Sequence, residues 1–288
     1  MTGQVLILGQ SGRFGRNAAQ AFARAGWQVR GFDRARDDLM RVAEGVDVIL
    51  CAWNPPYPDW AAQVPALHAA VRAAALRHDA TVIVPGNVYV FGAGTPVPWG
   101  PDSPHAARNP LGLIRVRMEA AYRDEGVRTI LLRGGDFLDT GATGNWFDRM
   151  MVPKLPKGRF VYPGDPDIPH AWAWLPDMTR AAADLAGLRA DLPRFADIPF
   201  PGYTLTGRQI RDILARITGR DLRLKRLNWL PLRLAAPVWP MGRCLLEMRY
   251  LWDTPHSLDD APLRRLLPGF TPTDPDDAFR AAIAHLGF

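Results

Sequence analysis

Cysteine is almost missing from this chain: among 288 residues only Cys51 and Cys244 carry a thiol. They lie far apart, with no metal-ligand or redox spacing, which excludes a disulfide framework and a Cys-x-x-Cys centre. A reducing cytoplasm is the expected location. No stretch of about 18 apolar residues occurs, so no membrane span is expected. Residues 227–241 are apolar, but three prolines and Arg233 interrupt them, and they read as the wall of a substrate pocket in preference to a segment lying on a membrane surface. The N-terminus lacks the basic, apolar and small-residue succession of a secretory signal. Runs of like charge are also lacking. The 35 basic and 29 acidic residues leave a net charge of +6, and the arginines are scattered rather than clustered. That balance suits a small anionic partner such as a dinucleotide or sugar nucleotide; with no nucleic-acid motif present, nucleic acid is not an expected partner. Internal repeats are absent, no metal site is indicated, and the 27 prolines and 26 glycines point to long connections between compact elements.

What is present is a regular alternation over the first 135 residues. An aliphatic run at 4–8, without polar alternation, reads as a parallel strand buried on both faces. A helix follows from about Arg13, with Phe14, Ala18, Ala21, Phe22 and Ala25 on one face, and Gly26 ends it. Strands at 27–33, 46–52, 81–85 and 127–132 then alternate with helices at 37–44, 59–78 and 111–125. This order predicts an α/β fold, a Rossmann-type doubly wound parallel sheet over residues 1–135. Residues 136–288 predict a smaller, irregular substrate domain, with a segment at about 170–200 returning to the sheet. A helix is expected at 178–187 with Asp177 as its cap, a strand at 195–200, and a helix at 206–218 opened by a Thr206/Gln209 capping box.

The chemistry-bearing motif is Gly9-Gln10-Ser11-Gly12-Arg13-Phe14-Gly15. Gly9 permits a sharp turn, Gly12 admits a pyrophosphate to the main chain, and Gly15 lets the helix pack closely. The unpaired N–H groups of the helix start, with Ser11, Arg13 and Phe14 around them, would hold the anion. Its place between a buried strand and an amphipathic helix is the context such a motif requires. Asp33, ending the second strand, can accept hydrogen bonds from both ribose hydroxyls and favours NAD. Arg34, with Arg13, Arg30 and Arg36 nearby, keeps NADP open, since arginines can hold a 2′-phosphate. NAD(P), with NAD favoured, is therefore the expected cofactor.

These phrases, with Asp47-Val48-Ile49-Leu50-Cys51-Ala52-Trp53, Asn87-Val88-Tyr89-Val90-Phe91-Gly92, Leu132-Arg133-Gly134-Gly135-Asp136 and His170-Ala171-Trp172-Ala173-Trp174-Leu175-Pro176-Asp177, resemble the short-chain dehydrogenase/reductase superfamily. The likeness is to its extended and atypical branch of NAD-dependent epimerases and dehydratases. It implies an oxidoreductase or epimerase-like enzyme, with a nucleotide sugar as the substrate class. In that family a Tyr-x-x-x-Lys pair performs the acid–base step. Aligned on Glu119, this chain has Leu111 in the tyrosine slot, Arg115 in the lysine slot and Asn87 in the usual Ser/Thr slot. Leucine transfers no proton, and arginine can hold a ribose but does not readily share a proton. The family's third strand, between Asp33 and Val46, has no room here, which implies an open adenine pocket.

Two residues are candidates to replace the tyrosine. Tyr89 leaves the strand end on the face of Asn87 and is either a wall of the pocket or, where a cation such as Arg115 lowers its pKa, an acid–base group. His170, expected in a loop, could pair with Asp136 or Asp177. Arg133 and Asp136 follow a strand end where ligands bind, unless they form a loop salt bridge. Ala52, Trp53 and Arg115 join the expected cofactor contacts. Trp53, Trp146, Trp172 and Trp174 fall on expected loops near the same edge, as pocket walls or as core of the smaller domain. The alternative to an enzyme is a non-catalytic dinucleotide-binding regulatory or sensor protein, and either a monomer or a homodimer is compatible with the helices at 59–78 and 111–125.

Overall fold

In the computed structural model, which describes residues 2–288, the elements appear in the expected order. They are β1 (Gln4–Leu8), α1 (Arg13–Arg24), β2 (Gln28–Phe32), α2 (Leu39–Val42), β3 (Val48–Cys51), α3 (Trp60–His78), β4 (Thr81–Gly86), α4 (Pro110–Asp124) and β5 (Thr129–Arg133). The C-terminal half adds β6 (Asp136–Leu138), β7 (Arg159–Tyr162), β8 (His170–Trp174), α5 (Leu175–Gly187), β9 (Phe195–Pro199), β10 (Tyr203–Leu205) and α6 (Gly207–Thr218). It ends with β11 (Arg223–Arg226), α7 (Leu230–Ala235), α8 (Pro240–Glu247), α9 (Ala261–Leu266) and α10 (Pro275–Ile283).

The main sheet has six strands in the order β2-β1-β3-β4-β5-β9, all paired in parallel. Adjacent residues of one strand serve opposite faces, which is why these runs are apolar without alternation. Leu6, Leu8, Ile49, Val82 and Leu131 pack with Val64, Val71, Met118 and Tyr122 of α3 and α4. Val5, Ile7, Val48, Ile83 and Ile130 pack with Phe14, Ala18 and Phe22 of α1 and with Met178, Ala181 and Leu185 of α5. The sheet stops at β2, because only the single turn of α2 fits between Asp33 and β3.

A three-stranded sheet, β10-β8-β6, and a parallel pair, β11-β7, carry the third apolar cluster beyond β5. Trp172 and Trp174 belong to it: they lie on β8 rather than on a loop, buried against Phe147, Tyr203 and Phe279. His170 likewise opens β8 instead of lying in a loop, with β10 antiparallel on one side and β6 parallel on the other. Helix α5 begins three residues earlier than expected, so Asp177 lies within its first turn and does not cap it. Its carboxylate instead accepts from the Thr273 N–H and hydroxyl at 2.6 and 2.9 Å and pairs with Arg180, fastening the C-terminal segment to α5. The Thr206/Gln209 capping box forms as its spacing suggests.

Helix α4 is capped from a distance. Pro110 starts it and the Asn109 side chain makes no cap; Glu247, at the end of α8, accepts from the Leu111 N–H at 2.7 Å and from Asn109 Nδ2 at 2.8 Å. A carboxylate there satisfies an orphan donor and suits the positive end of the helix dipole.

Candidate active site at the carboxyl ends of the strands

Two adjoining cavities, of about 820 and 810 Å³, run along the carboxyl edge of the sheet and share Ser11, Trp53, Asn54, Pro55 and Pro56 in their walls. The first is bounded by Gly9, Gln10, Phe32, Asp33 and Arg34. The second reaches from Gly12, Arg13 and Phe14 past Ala52, Asn87, Tyr89, Arg115 and Asp136 to Asn145, Trp146 and α8. Open parallel sheets bind ligands at this edge, because the strand order reverses there and the following loops diverge.

The glycine loop is shaped by its own backbone. Gly9 has φ +80, and the Gly12 N–H donates to the Gly9 carbonyl at 3.0 Å, closing the turn. Helix α1 then starts without a side-chain cap and without an acidic residue in its first turn, so its N–H groups remain available to an anion. A Cβ on Gly15 would lie 2.2 Å from the Gly9 carbonyl oxygen, so the helix packs against the loop only because residue 15 is glycine. Asp33 is exposed beside this loop. Its carboxylate accepts from the Ala35 N–H at 2.9 Å and lies 3.5 Å from Arg36, while Arg34 borders the same cavity. These features fit a dinucleotide: an amide cradle for a pyrophosphate, with an acceptor for ribose hydroxyls one strand away.

At the other end four groups meet. The Tyr89 and Tyr57 hydroxyls are 2.5 Å apart, and Trp60 stacks on Tyr89 with ring centroids 6.2 Å apart. Arg115 spans the floor, donating to the Pro85 carbonyl at 2.9 Å and lying 5.8 Å over the Trp60 ring. It is buried, and no carboxylate lies within ion-pair distance of it among the described residues. Its Nε has no partner, an uncompensated donor beside the cavity. Asp136 faces the cavity and is held from behind by His170 Nε2 at 2.7 Å.

The expectation that Arg115 lowers the pKa of Tyr89 is overturned. Burial pushes Tyr89 well above its ordinary value, and the neighbouring Tyr57 and the negative charge of Asp136 push the same way. Tyr57 is pushed up to about 12, again mainly by burial. Both phenols therefore stay protonated at neutral pH. His170 does not reach the cavity. It is buried, stacked on Trp252 at 4.3 Å and set edge-on to His256 at the same separation, so it can act only through Asp136. Burial holds His256 down to about 3, hence neutral. Asn87 spends its side-chain oxygen on the Tyr89 N–H at 3.1 Å, which fixes the turn that aims Tyr89.

Of the two roles open to Arg133, a ligand contact or a salt bridge, the structure forms the salt bridge. It is wholly buried, holding Glu119 at 2.8 Å, Asp197 at 2.6 Å and the Asn87 carbonyl at 2.6 Å. His105, Glu119 and Asp197 present atoms within 4.8 Å of one another, but the guanidinium already stands between the carboxylates where a cation would. Leu111, in the tyrosine slot, is packed into the core beside Met118 and Met248. Trp53 and Trp146 line the cavity, whereas Trp172 and Trp174 do not. Tyr57 is the site residue that the sequence motifs miss. Its one signal is the rigid Pro55-Pro56 pair, which turns the chain back at the end of β3.

No protein-family model matches this chain, and no curated protein does. Solved structures do match. MoeE5 in complex with UDP-glucose and NAD is 15% identical, with 99% of each chain covered and a TM-score of 0.76. The UDP-glucuronic acid 4-epimerase of Bacillus cereus, in complex with UDP-glucuronic acid and NAD, is 14% identical over 99% of both chains, with a TM-score of 0.75. The L-threonine dehydrogenase of Phytophthora infestans is 18% identical over 99% of both, with a TM-score of 0.72. At such identities the likeness establishes the α/β fold.

Proposed function

We propose that this chain is an NAD-dependent, epimerase-like oxidoreductase for an anionic small molecule of the nucleotide-sugar class. Its acid–base group is moved from helix α4 to the ends of β4 and β5. One observation carries the reading: a single crevice joins an uncapped glycine-rich helix start to a cluster of Tyr57, Tyr89, Arg115 and Asp136. The fold shared with enzymes solved with NAD and UDP-sugars supports it.

The bound dinucleotide would accept and return a hydride. The first amides of α1 would hold its pyrophosphate, and Asp33 would take the ribose hydroxyls of the adenosine half. Arg115, in the lysine slot, gives its buried charge and free Nε to the nicotinamide ribose. Asp136, oriented by His170, would take the proton of the substrate hydroxyl. The protonated Tyr57–Tyr89 pair donates to the oxygen that becomes a carbonyl. Asn145, buried at the cavity wall with Nδ2 unpartnered, and the exposed Arg149 provide donors for a substrate phosphate.

Asp136→Asn and Tyr89→Phe are each expected to lower kcat by about 10²–10⁴ on the UDP-hexose that a substrate screen identifies. Their affinity for NADH should stay within about threefold of the wild type. The change is read at the nicotinamide absorbance and by NMR of the product. Full turnover in both variants would remove the acid–base assignment. A second reading, a dinucleotide-binding protein without turnover, is favoured by Leu111 lying in the core. It would be recognised by NADH binding without conversion of any sugar nucleotide.

A further inference from the structure

The helices beside the cavity expose an apolar face that the proposed chemistry does not use. Leu230 is 56% exposed, Leu234 73%, Val238 87% and Trp239 42%, all within ten residues. On α7, Leu230, Arg233 and Leu234 share one exposed stripe at helical spacing. A run of this kind on a water-soluble surface marks an interaction site rather than chance exposure.

Its charge identifies the partner. Residues 222–246 contain no Asp or Glu and carry Arg223, Lys225, Arg226, Arg233 and Arg243, a local excess of five against +6 for the whole chain. All five are exposed, and only Arg226 has a carboxylate partner, Asp165 at 3.2 Å, among the described residues. A second copy meeting α7 and α8 with the same helices would set Arg233 and Arg243 against their own counterparts. A nucleic acid would leave Leu234 and Val238 without a partner. An anionic bilayer answers both features, taking apolar side chains to the acyl boundary and the arginines and lysine among its headgroups. No helix among the described residues is long and apolar enough to cross a membrane, so the contact would be peripheral.

We infer that the 222–246 segment docks this protein on the surface of an anionic phospholipid bilayer, with Leu234, Val238 and Trp239 inserted. Trp239, Met241 and Leu245 also wall the second cavity, so the docked protein would hold that wall of its site against the membrane. Docking of this kind requires nothing of the proposed reaction.

The full-length protein is sedimented with vesicles of phosphatidylcholine containing about 30% phosphatidylglycerol, an anionic surface, and with vesicles of phosphatidylcholine alone. Binding is expected to the anionic vesicles, to fall about tenfold without the anionic lipid, and to weaken in high salt. Leu234→Glu and Val238→Glu, exposed positions outside the cavity walls, should each reduce binding about tenfold while keeping the wild-type melting temperature. Brominated lipids should quench tryptophan emission in the wild type and less in Trp239→Phe. Absence of binding to anionic vesicles, or equal binding by the two glutamate variants and the wild type, would overturn the proposal. So would concentration-dependent dimerisation that both glutamate variants abolish, since the face would then be covered by a second copy.

Discussion

Alanine at position 15 is expected to abolish dinucleotide binding in a protein that still folds. A Cβ there would lie 2.2 Å from the Gly9 carbonyl oxygen and 2.8 Å from the Gln10 Cα, both backbone atoms that no rotamer change can move away. The loop must shift by about 1.3 Å to restore an ordinary contact of about 3.5 Å. That shift takes the turn and the first amides of α1 out of register with each other. Since the ligand's pyrophosphate would be held mainly by those amides, an affinity loss of at least about 100-fold is expected, near 2.7 kcal/mol. Calorimetric titration with NADH reads the loss, and circular dichroism establishes that the variant is folded. A folded Gly15→Ala protein that binds NADH as the wild type does would show that this loop is not the binding site.

Arg133→Leu is expected to destabilise the protein more than any substitution in the active-site cluster. The guanidinium is wholly buried between Glu119 and Asp197 and also donates to the Asn87 carbonyl. Removing it leaves two buried carboxylates facing each other with only the imidazole of His105, 3.9 Å from Glu119, beside them. Breaking a buried pair in this way costs about 3–5 kcal/mol, because the remaining charge cannot be solvated. Urea denaturation reads the loss directly. Adding Glu119→Gln and Asp197→Asn to Arg133→Leu should recover part of it by removing the stranded charges. A stability equal to the wild type in Arg133→Leu, or no recovery in the triple variant, would contradict this view of the cluster. The same substitution would disturb the site, since the carbonyl held by Arg133 belongs to Asn87, whose side chain fixes the turn of Tyr89.

The parts of the molecule that rest on local backbone rules are legible in the sequence. Aliphatic runs such as 4–8 and 48–51 imply strands buried on both faces, and the spacing of Gly9, Gly12 and Gly15 implies the strand–turn–helix around them. The shortened link from Asp33 to β3 correctly implies a sheet ending at β2. Side-chain electrostatics are less legible, because they depend on which residues fold together from distant segments. The nearness of Arg115 suggests a lowered Tyr89 pKa, but burial and the contact with Tyr57, 32 residues away, outweigh it. His170 does pair with Asp136, one of its two expected partners, yet its seclusion behind Trp252 depends on a residue 82 positions further on, visible only in three dimensions. Asp177 reads as a cap because it precedes an apolar run, but the helix starts at Leu175, with Pro176 in its first turn, and the carboxylate is free to bind Thr273.

The crevice between the glycine loop and the Tyr57–Tyr89 pair is expected to bind a nicotinamide dinucleotide. This is tested most directly by titrating the purified protein with NAD⁺, NADH, NADP⁺ and NADPH under calorimetry, with tryptophan fluorescence followed in parallel. Binding is predicted at about micromolar Kd for NAD⁺ and NADH, near 8 kcal/mol. Weaker binding is predicted for the phosphorylated pair, whose 2′-phosphate would meet the carboxylate of Asp33. Tighter binding of NADPH than NADH would assign the site to Arg34 and Arg36 instead of Asp33. No binding of any of the four would contradict the claim at its root.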